Sequence, residues 1–217
     1  MATTWNKEAG QTVFPPHADP EGPCCLRDLL AAQPWRAVID WPAGFEGGIA
    51  HRLDVPTSGA LLVADSLEEL QELRDHFKAK RLRKTYRFQT ARTVPWSQHI
   101  VETPIAHDKR RSSRMVVQRG ANTPHRGRWY PAYTELLQLE SGLWQAVITT
   151  GVTHQIRVHA ASVGIALQGD RRYGGGPTPT GWPCAFRLHH VGLQGPLELR
   201  TDPVPLPEWA QTTATSP

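Results

Sequence analysis

The chain has 217 residues, enough to bury a full hydrophobic core, and this length is typical of a single domain. Its formal net charge is +4, and its three cysteines form neither a disulfide framework nor a CxxC metal motif, which favours a reducing compartment. The sequence has no apolar run near the ~18 residues of a membrane-spanning helix and no signal-peptide pattern. We therefore expect a cytoplasmic protein that does not bind membranes.

Turn-forming residues and hydrophobic periodicity divide the chain into predicted elements. Residues 1–24 carry four prolines among polar residues and predict an extended N-terminal tail, and residues 203–217 predict a similar C-terminal tail. A single folded domain is expected over residues 25–202. Within it, the patterns predict strands at 36–40, 59–64, 84–90, 132–139 and 144–150, and helices at 67–81 and 153–163.

Residues 107–131 are basic, rich in Gly and Pro, and follow no helical or strand period. Loops of this length are uncommon in compact domains unless they serve a function. We therefore predict a long, mobile loop that grips the substrate.

The positive charge is concentrated in one part of the chain. From Gln71 to Tyr130 there are 15 Lys and Arg residues against 4 Asp and Glu, and six aromatic residues lie among them. This composition is typical of surfaces that neutralise phosphates and stack bases, so it favours a nucleic-acid partner over a merely solvated face.

The stretch HRLDVPTSG, residues 51–59, places a carboxylate directly before the predicted strand at 59–64. Pro56, Ser58 and Gly59 are turn formers, so Asp54 on local pattern alone is either a turn residue or a working group.

Three blocks decide between these readings: GGIAHRLDVPTSGALLVADS, FKAKRLRKTYRFQT and TTGVTHQIRVHAASVGIALQGDRRYGG. Together, and in this order, they resemble the RluA-type family of RNA pseudouridine synthases over roughly residues 36–200. Three ordered matches are specific where one alone would be modest. The resemblance implies an α/β (α+β) pseudouridine synthase catalytic fold, with a mixed, largely antiparallel bent sheet, flanking helices and a central active-site cleft.

The resemblance also implies the catalytic residues. Asp54 matches the family's catalytic carboxylate, which acts on the sugar as a nucleophile at C1′ or as a base at C2′. Arg157 matches its basic partner, and Tyr86 matches the tyrosine that packs on the target base and assists loss of the C5 proton. Arg52 matches the arginine that fills the gap left by a flipped uridine.

The remaining predicted contacts fall into two groups. We expect substrate contacts from Arg52, His51, Thr57, His154, Gln155 and Leu188. We expect RNA phosphate contacts from Lys80, Arg81, Arg83, Lys84, Lys109, Arg110, Arg111 and Arg114. His154 and His159 are five residues apart, which does not fit a helical zinc pair, so His51, His154 and His159 are read as hydrogen-bonding framework. No metal and no cofactor are expected, and the protein is expected to act on RNA as a monomer.

Several positions depart from the family pattern. Val152 and Asp65 stand where relatives carry an arginine and a lysine, His190 replaces an alanine, and only six residues separate Gly44 from His51. These differences bear on substrate choice more than on the reaction. Two alternatives stay open: a catalytically silent RNA-binding relative, and an enzyme of glycosidic bonds that acts on a free nucleoside or nucleotide.

Overall fold

The computed structural model describes residues 3–178, 180–182, 184–196 and 204–212. They fall into two compact units: the first comprises the described residues of Met1–Lys84 and His189–Leu206, and the second those of Thr85–Leu188 and Pro207–Pro217. The helices are α1 Cys25–Ala32, α2 Leu67–Lys78 and α3 Gln155–Ser162. The strands are β1 Thr3–Lys7, β2 Ser58–Val63, β3 Arg83–Gln89, β4 Gln98–Val101, β5 Ile105–Asp108, β6 Met115–Val117, β7 His125–Tyr130, β8 Thr134–Glu140, β9 Leu143–Ile148 and β10 Leu188–Gln194.

In the first unit, β2 lies between β1, which is antiparallel to it, and β10, which is parallel. All six residues of β2 are buried, as the apolar run predicted. Gly59 has a φ of +111°, and a Cβ there would lie 2.1 Å from the carbonyl oxygen of His190. Only glycine therefore allows β10 to approach this closely.

Helix α2 begins as predicted. The Ser66 hydroxyl accepts a hydrogen bond from the Glu69 amide at 3.2 Å, and the Glu69 carboxylate accepts one from the Asp65 amide at 2.7 Å. Leu70 and Leu73 are buried and pack in a core cluster with residues of β2 and β10. The helix ends at Lys78, three residues earlier than predicted, and Lys80 then adopts a left-handed φ of 55°.

The N-terminal region differs from the predicted loose tail. Thr3–Lys7 forms β1, which pairs with β2 from Thr3 opposite Val63 to Lys7 opposite Gly59. Cys24 is fully buried, and the Cys25 amide donates to the Thr12 carbonyl at 2.9 Å. The polar, proline-rich composition concealed a strand because β1 gains its stability from tertiary pairing.

The predicted strand at 36–40 is wrong: residues Pro34–Val38 form a 3₁₀ helix. Arg36 turns inward, is fully buried, and donates to the carbonyl oxygens of Gly47, at 3.0 Å, and Ala64. Its guanidinium also pairs with the carboxylate of Asp65. This ion pair gives a physical reason for aspartate in place of the lysine expected from the family resemblance.

In the second unit, the strand order β3-β9-β8-β4 forms antiparallel pairs at β8–β9 and β4–β8, and β6-β5-β7 forms a separate antiparallel sheet. The strand pairings within the two units make a mixed, largely antiparallel α/β architecture, which confirms the predicted fold class. The predicted long loop at 107–131 is wrong, since it contains most of the three-stranded sheet. Its strands are short and one is bulged, so they carry no clear period.

Part of the predicted C-terminal tail packs on the second unit. Glu208–Ala210 is a 3₁₀ helix, and the Ala210 carbonyl accepts a hydrogen bond from the Arg87 guanidinium at 2.6 Å. Residues 203 and 213–217 of that predicted tail lie outside the described residues. The single domain at 25–202 stays a prediction.

Replacing Arg36 by Met is expected to lower the free energy of unfolding by about 2–4 kcal/mol, because two buried carbonyl oxygens lose their donor. The matched control is Arg27→Met, which breaks the exposed ion pair with Glu21 and should cost less than ~1 kcal/mol. Urea unfolding of both variants measures the difference. Equal losses would show that Arg36 has no such role.

Candidate active site

Asp54 opens a tight turn. The Thr57 amide donates to the Asp54 carbonyl oxygen at 2.9 Å, with Val55 and Pro56 at the centre of the turn. Thr57 is buried, whereas Asp54 is half-buried and Arg52 is exposed. Asp54 is thus a turn residue by its backbone.

Lys7 ties this turn to the sheet. Its side chain is fully buried, and its ammonium donates to the carbonyl oxygens of Val55 at 3.0 Å, Thr57 at 2.6 Å and Glu8 at 2.9 Å. The Gly10 amide donates to the same Val55 carbonyl at 2.8 Å. A charged donor shared by several backbone carbonyls holds the turn more firmly than its local sequence would.

His51 fixes the other side of the turn. Its Nε2 accepts a hydrogen bond from the Leu62 amide at 3.0 Å, and the Ala50 amide donates to the Leu62 carbonyl at 2.9 Å. The segment before Asp54 is therefore bound to β2 by both a side chain and the backbone. His51 acts here as framework, and any substrate contact from it stays a prediction.

His51 lies close to the rings of His190 and Phe77 and near the ammonium of Lys84. The rings of His51 and His190 are 5.5 Å apart, and those of His51 and Phe77 are 5.4 Å apart. Burial, together with the nearby Lys84 ammonium, lowers the pKa of His51 to about 3. Burial likewise lowers the pKa of His190 well below its usual value, so both imidazoles are neutral near pH 7.

The predicted RNA contact of Lys84 does not fit the structure. Its side chain is buried, and its ammonium lies 5.7 Å from the centre of the Phe77 ring. Burial lowers its pKa to about 8. A cation enclosed in this way is poorly placed to meet a phosphate in solvent, whereas Lys80, Arg81 and Arg83 are exposed.

In the second unit, Arg157 projects from α3 and is buried. Its Nε and Nη2 donate to the two carboxylate oxygens of Asp170 at 2.6 Å and 3.1 Å. The guanidinium carbon lies 4.4 Å from the centre of the Phe186 ring and 5.1 Å from that of Tyr173. The bidentate pair and the two ring contacts together fix the orientation of the guanidinium.

Tyr173 supports the same region. Its hydroxyl accepts a hydrogen bond from the Met115 amide at 2.9 Å, which leaves the hydroxyl proton for Nδ1 of His154, also at 2.9 Å. Burial raises the pKa of Tyr173 to about 12, so the phenol stays protonated. His154 adopts a left-handed φ of 56° at the start of α3, a strained backbone that this bond helps to hold.

Gln155 is a structural residue, which corrects its predicted substrate contact. Its amide oxygen accepts from the Thr150 hydroxyl and the Val152 amide, and its nitrogen donates to the Tyr133 carbonyl and the Thr134 hydroxyl. These four bonds use the full capacity of a side-chain amide. Both ring nitrogens of His159 are likewise bonded, to Thr134 and to the Thr103 carbonyl, as expected of framework.

The other predicted site residues are placed as follows. Tyr86 is buried on β3 and Leu188 is buried at the start of β10. Lys109, Arg110 and Arg111 are exposed in the turn between β5 and β6, and the guanidinium of Arg114 lies 5.5 Å from the centre of the Tyr173 ring. Asp54 belongs to the first unit, and Tyr86 and Arg157 to the second, so their mutual arrangement stays a prediction.

The sequence did not reveal three supporting residues: Lys7 in the first unit, and Asp170 and Tyr173 in the second. Lys7 lay in the supposed tail and gave no local signal. Asp170 and Tyr173 belong to the segment QGDRRYGG. This segment has the polar, glycine-rich composition of an exposed turn, so it does not predict that the two side chains are buried. Among residues 3–178, 180–182, 184–196 and 204–212, no cluster of metal-ligating side chains is found. No helix in this part of the chain is long and apolar enough to cross a membrane.

Comparison with known proteins identifies the family. Residues 4–162 match the family model described as RNA pseudouridylate synthase. The chain belongs to this family. The match includes Asp54, Tyr86 and Arg157, and it confirms the resemblance inferred from the three sequence blocks.

Two relatives illustrate the extent of the similarity to other pseudouridine synthases. An RNA pseudouridine synthase of Chloroflexus aurantiacus, itself uncharacterised, is 35% identical over 78% of this chain and 51% of its own length. The ribosomal large subunit pseudouridine synthase D of Yersinia pestis is 32% identical over 80% of this chain and 50% of its own length. The chain thus spans about half the length of these relatives.

Solved structures show the same fold. Human RNA pseudouridylate synthase domain containing 1 aligns with a TM-score of 0.70 and 23% identity, covering 95% of this chain and 80% of the human chain. Human RNA pseudouridylate synthase domain containing 4 aligns with a TM-score of 0.68 and 20% identity, covering 96% and 87%. At these identities the likeness concerns the pseudouridine synthase fold alone.

For this pseudouridine synthase family member, replacing His51 by Gln is expected to reduce acid sensitivity. Folding lowers the pKa of His51 from 6.5 to about 3, so the unfolded chain binds the proton first and stability is lost as the pH falls through this window. Between pH 7 and pH 4.5, wild type should lose about 2 kcal/mol more than His51→Gln in urea unfolding.

The glutamine amide oxygen can still accept the Leu62 bond, and the exposed His17→Gln is the matched control. An identical pH dependence of wild type and His51→Gln would contradict the assignment of a neutral, buried imidazole.

Proposed function

We propose that this chain is an RNA pseudouridine synthase that converts specific uridines in structured RNA to pseudouridine. The observation that carries the proposal is the turn at Asp54, which Lys7 anchors through the Val55 and Thr57 carbonyl oxygens. The family resemblance assigns Asp54 the role of catalytic carboxylate. A turn fixed in this way suits a residue that must meet a reacting atom, because small displacements are costly in catalysis.

The proposed reaction is an isomerisation. The bond from uracil N1 to C1′ of the ribose breaks, the detached base turns, and a bond forms from C5 to C1′. The proton that leaves C5 is balanced by the proton gained at N1, so no oxidant, metal or energy source enters the balance. Asp54 is proposed to act on the sugar, as a nucleophile at C1′ or as a base at C2′.

Arg157 and Tyr86 are proposed to complete the site. Two N–H donors of Arg157 bind Asp170, and the family resemblance assigns this arginine as the basic partner of the catalytic carboxylate. Asp170 then serves as a positioning residue for Arg157. Tyr86 is proposed to pack on the uracil ring and to assist loss of the C5 proton.

RNA recognition is proposed to use exposed cations. Arg52 is exposed two residues before Asp54, which suits its proposed role of filling the space left by a flipped uridine. Lys80, Arg81, Arg83, Lys109, Arg110 and Arg111 are exposed, and Arg114 is half-buried. Such side chains are suited to bind phosphates.

The substrate class follows the relatives. Since several are named ribosomal large subunit pseudouridine synthase D, ribosomal RNA is the substrate we propose to test first, with transfer RNA second. The predictions that the protein acts in the cytoplasm, as a monomer and without a metal are kept as part of this proposal.

Pseudouridine mapping on total host RNA tests the proposal. RNA is compared from cells with the gene present, deleted, or replaced by Asp54→Ala, with Asp40→Ala, an exposed carboxylate in the same unit, as the matched control. We expect one or more modified positions to vanish in the deletion and in Asp54→Ala, and to persist in Asp40→Ala.

Modification that persists in Asp54→Ala would overturn the assignment of the catalytic carboxylate. If the deletion changed no position in any RNA, the proposed reaction on RNA would fail. A silent RNA-binding protein or an enzyme of free nucleotides would then remain, and assays with purified protein and uridine nucleotides would separate the two.

A further inference from the structure

Strand β7 contains a bulge that creates an aromatic stack. Ile105 of β5 pairs with Tyr130, but His107 pairs with Arg126, so β7 has two more residues than β5 over this interval. Gly127 adopts a left-handed φ of 74° at this point. Residues four apart in a regular strand are separated by about 13 Å. Here the rings of His125 and Trp129 lie 4.3 Å apart with an interplanar angle of 33°.

The bulge therefore re-aims Trp129 onto His125. Both residues are only half-buried, so the stack retains a surface that a further flat ring can reach. A Cβ at Gly127 would meet no atom within 4 Å, and glycine is needed for its backbone conformation alone.

The same strand carries exposed cations. Arg126 and Arg128 are exposed, and the guanidinium of Arg128 lies 4.8 Å from the centre of the half-buried Tyr130 ring. From Ile105 to Tyr130 the chain has seven Lys and Arg residues and one acid, Asp108. The Asp108 carboxylate accepts hydrogen bonds from the amides of Arg110 and Arg111 in the adjacent turn.

We propose that the β7 surface, formed by His125–Tyr130, binds a single-stranded stretch of the RNA substrate. The exposed arginines of β7 attract the phosphates of a polyanion. The half-buried rings of His125 and Trp129 can stack only with bases that are not already stacked in a duplex. Bases inside a duplex offer no face to Trp129, so double-stranded RNA is not the ligand of this surface. The proposal rests on the proposed function, and it names the form of RNA that the protein recognises.

Binding of short RNA by variants in an Asp54→Asn background tests the proposal, since substrate is then not converted. Fluorescence anisotropy compares a labelled 12-nucleotide oligouridine with a 12-base-pair RNA duplex at several salt concentrations. Arg126→Gln with Arg128→Gln should weaken oligouridine binding about 10-fold and flatten the salt slope by about 1.4. The matched control is Arg92→Gln with Arg171→Gln, two exposed arginines of the same unit outside β7.

Trp129 distinguishes stacking from charge. Trp129→Leu should weaken oligouridine binding about 5- to 100-fold and leave duplex binding within 2-fold, whereas Trp129→Phe, which keeps a ring, should stay near wild type. Unfolding midpoints identify any variant that fails to fold. If Trp129→Leu folds poorly, the arginine pair still tests selectivity, because its loss of affinity must be larger for oligouridine than for the duplex.

Each outcome has a defined meaning. If the arginine variants weaken binding but Trp129→Leu does not, β7 is only a cationic edge, and the stacking site is refuted. If the β7 substitutions weaken the binding of duplex and of oligouridine equally, the surface does not select single strands. If β7 variants bind like the protein they were made from, the inference fails while the proposed function stands. Absence of any RNA binding by the unsubstituted protein would instead count against the proposed function.

Discussion

One buried ammonium, that of Lys7, holds the turn on which the proposed chemistry depends. It donates to backbone carbonyls on both sides of Pro56, so the turn after Asp54 is fixed by a charged group that solvent does not reach. Burial of a lysine is costly unless its donors are satisfied, and three carbonyl oxygens satisfy them. The pairing of β1 with β2 places Lys7, opposite Gly59, where it reaches the turn.

The same physical pattern recurs throughout the two units. Arg36 in the first unit and Gln155 in the second are buried polar side chains. Both form hydrogen bonds with the backbone and with neighbouring side chains. Asp170 likewise uses both carboxylate oxygens on Arg157. Satisfied groups of this kind specify a unique local geometry. Asp54 and Arg52 remain more exposed than these supports, as residues that meet a substrate must be.

The sequence predicted the elements whose signals are local. The buried strand before α2, the Ser66 cap and the helix carrying Arg157 all follow from apolar runs, spacing and capping chemistry. The proposed roles of Asp54, Tyr86 and Arg157 rest on resemblance, since no periodicity distinguishes a catalytic aspartate from a turn aspartate.

The errors have one physical cause, which is that tertiary contacts outweighed local composition. Thr3–Lys7 reads as a polar tail, yet it becomes a strand because β2 offers it a pairing edge. The basic segment at 107–131 reads as a loop because its strands are short and β7 bulges at Gly127. Lys84 reads as a surface cation, but the fold buries it beside Phe77. No local sequence pattern predicts any of these three features.

The most direct test of Asp54 on its Lys7-anchored turn is release of tritium from RNA labelled at C5 of uridine, measured with purified protein. Asp54→Asn should release nothing above background. Lys7→Met should lower the single-turnover rate about 10- to 100-fold, with RNA affinity unchanged within a few-fold, because the turn loses its anchor. Lys78→Met, an exposed lysine of the same unit, should match wild type. Tritium release by Asp54→Asn at the wild-type rate would contradict the assignment of the catalytic carboxylate.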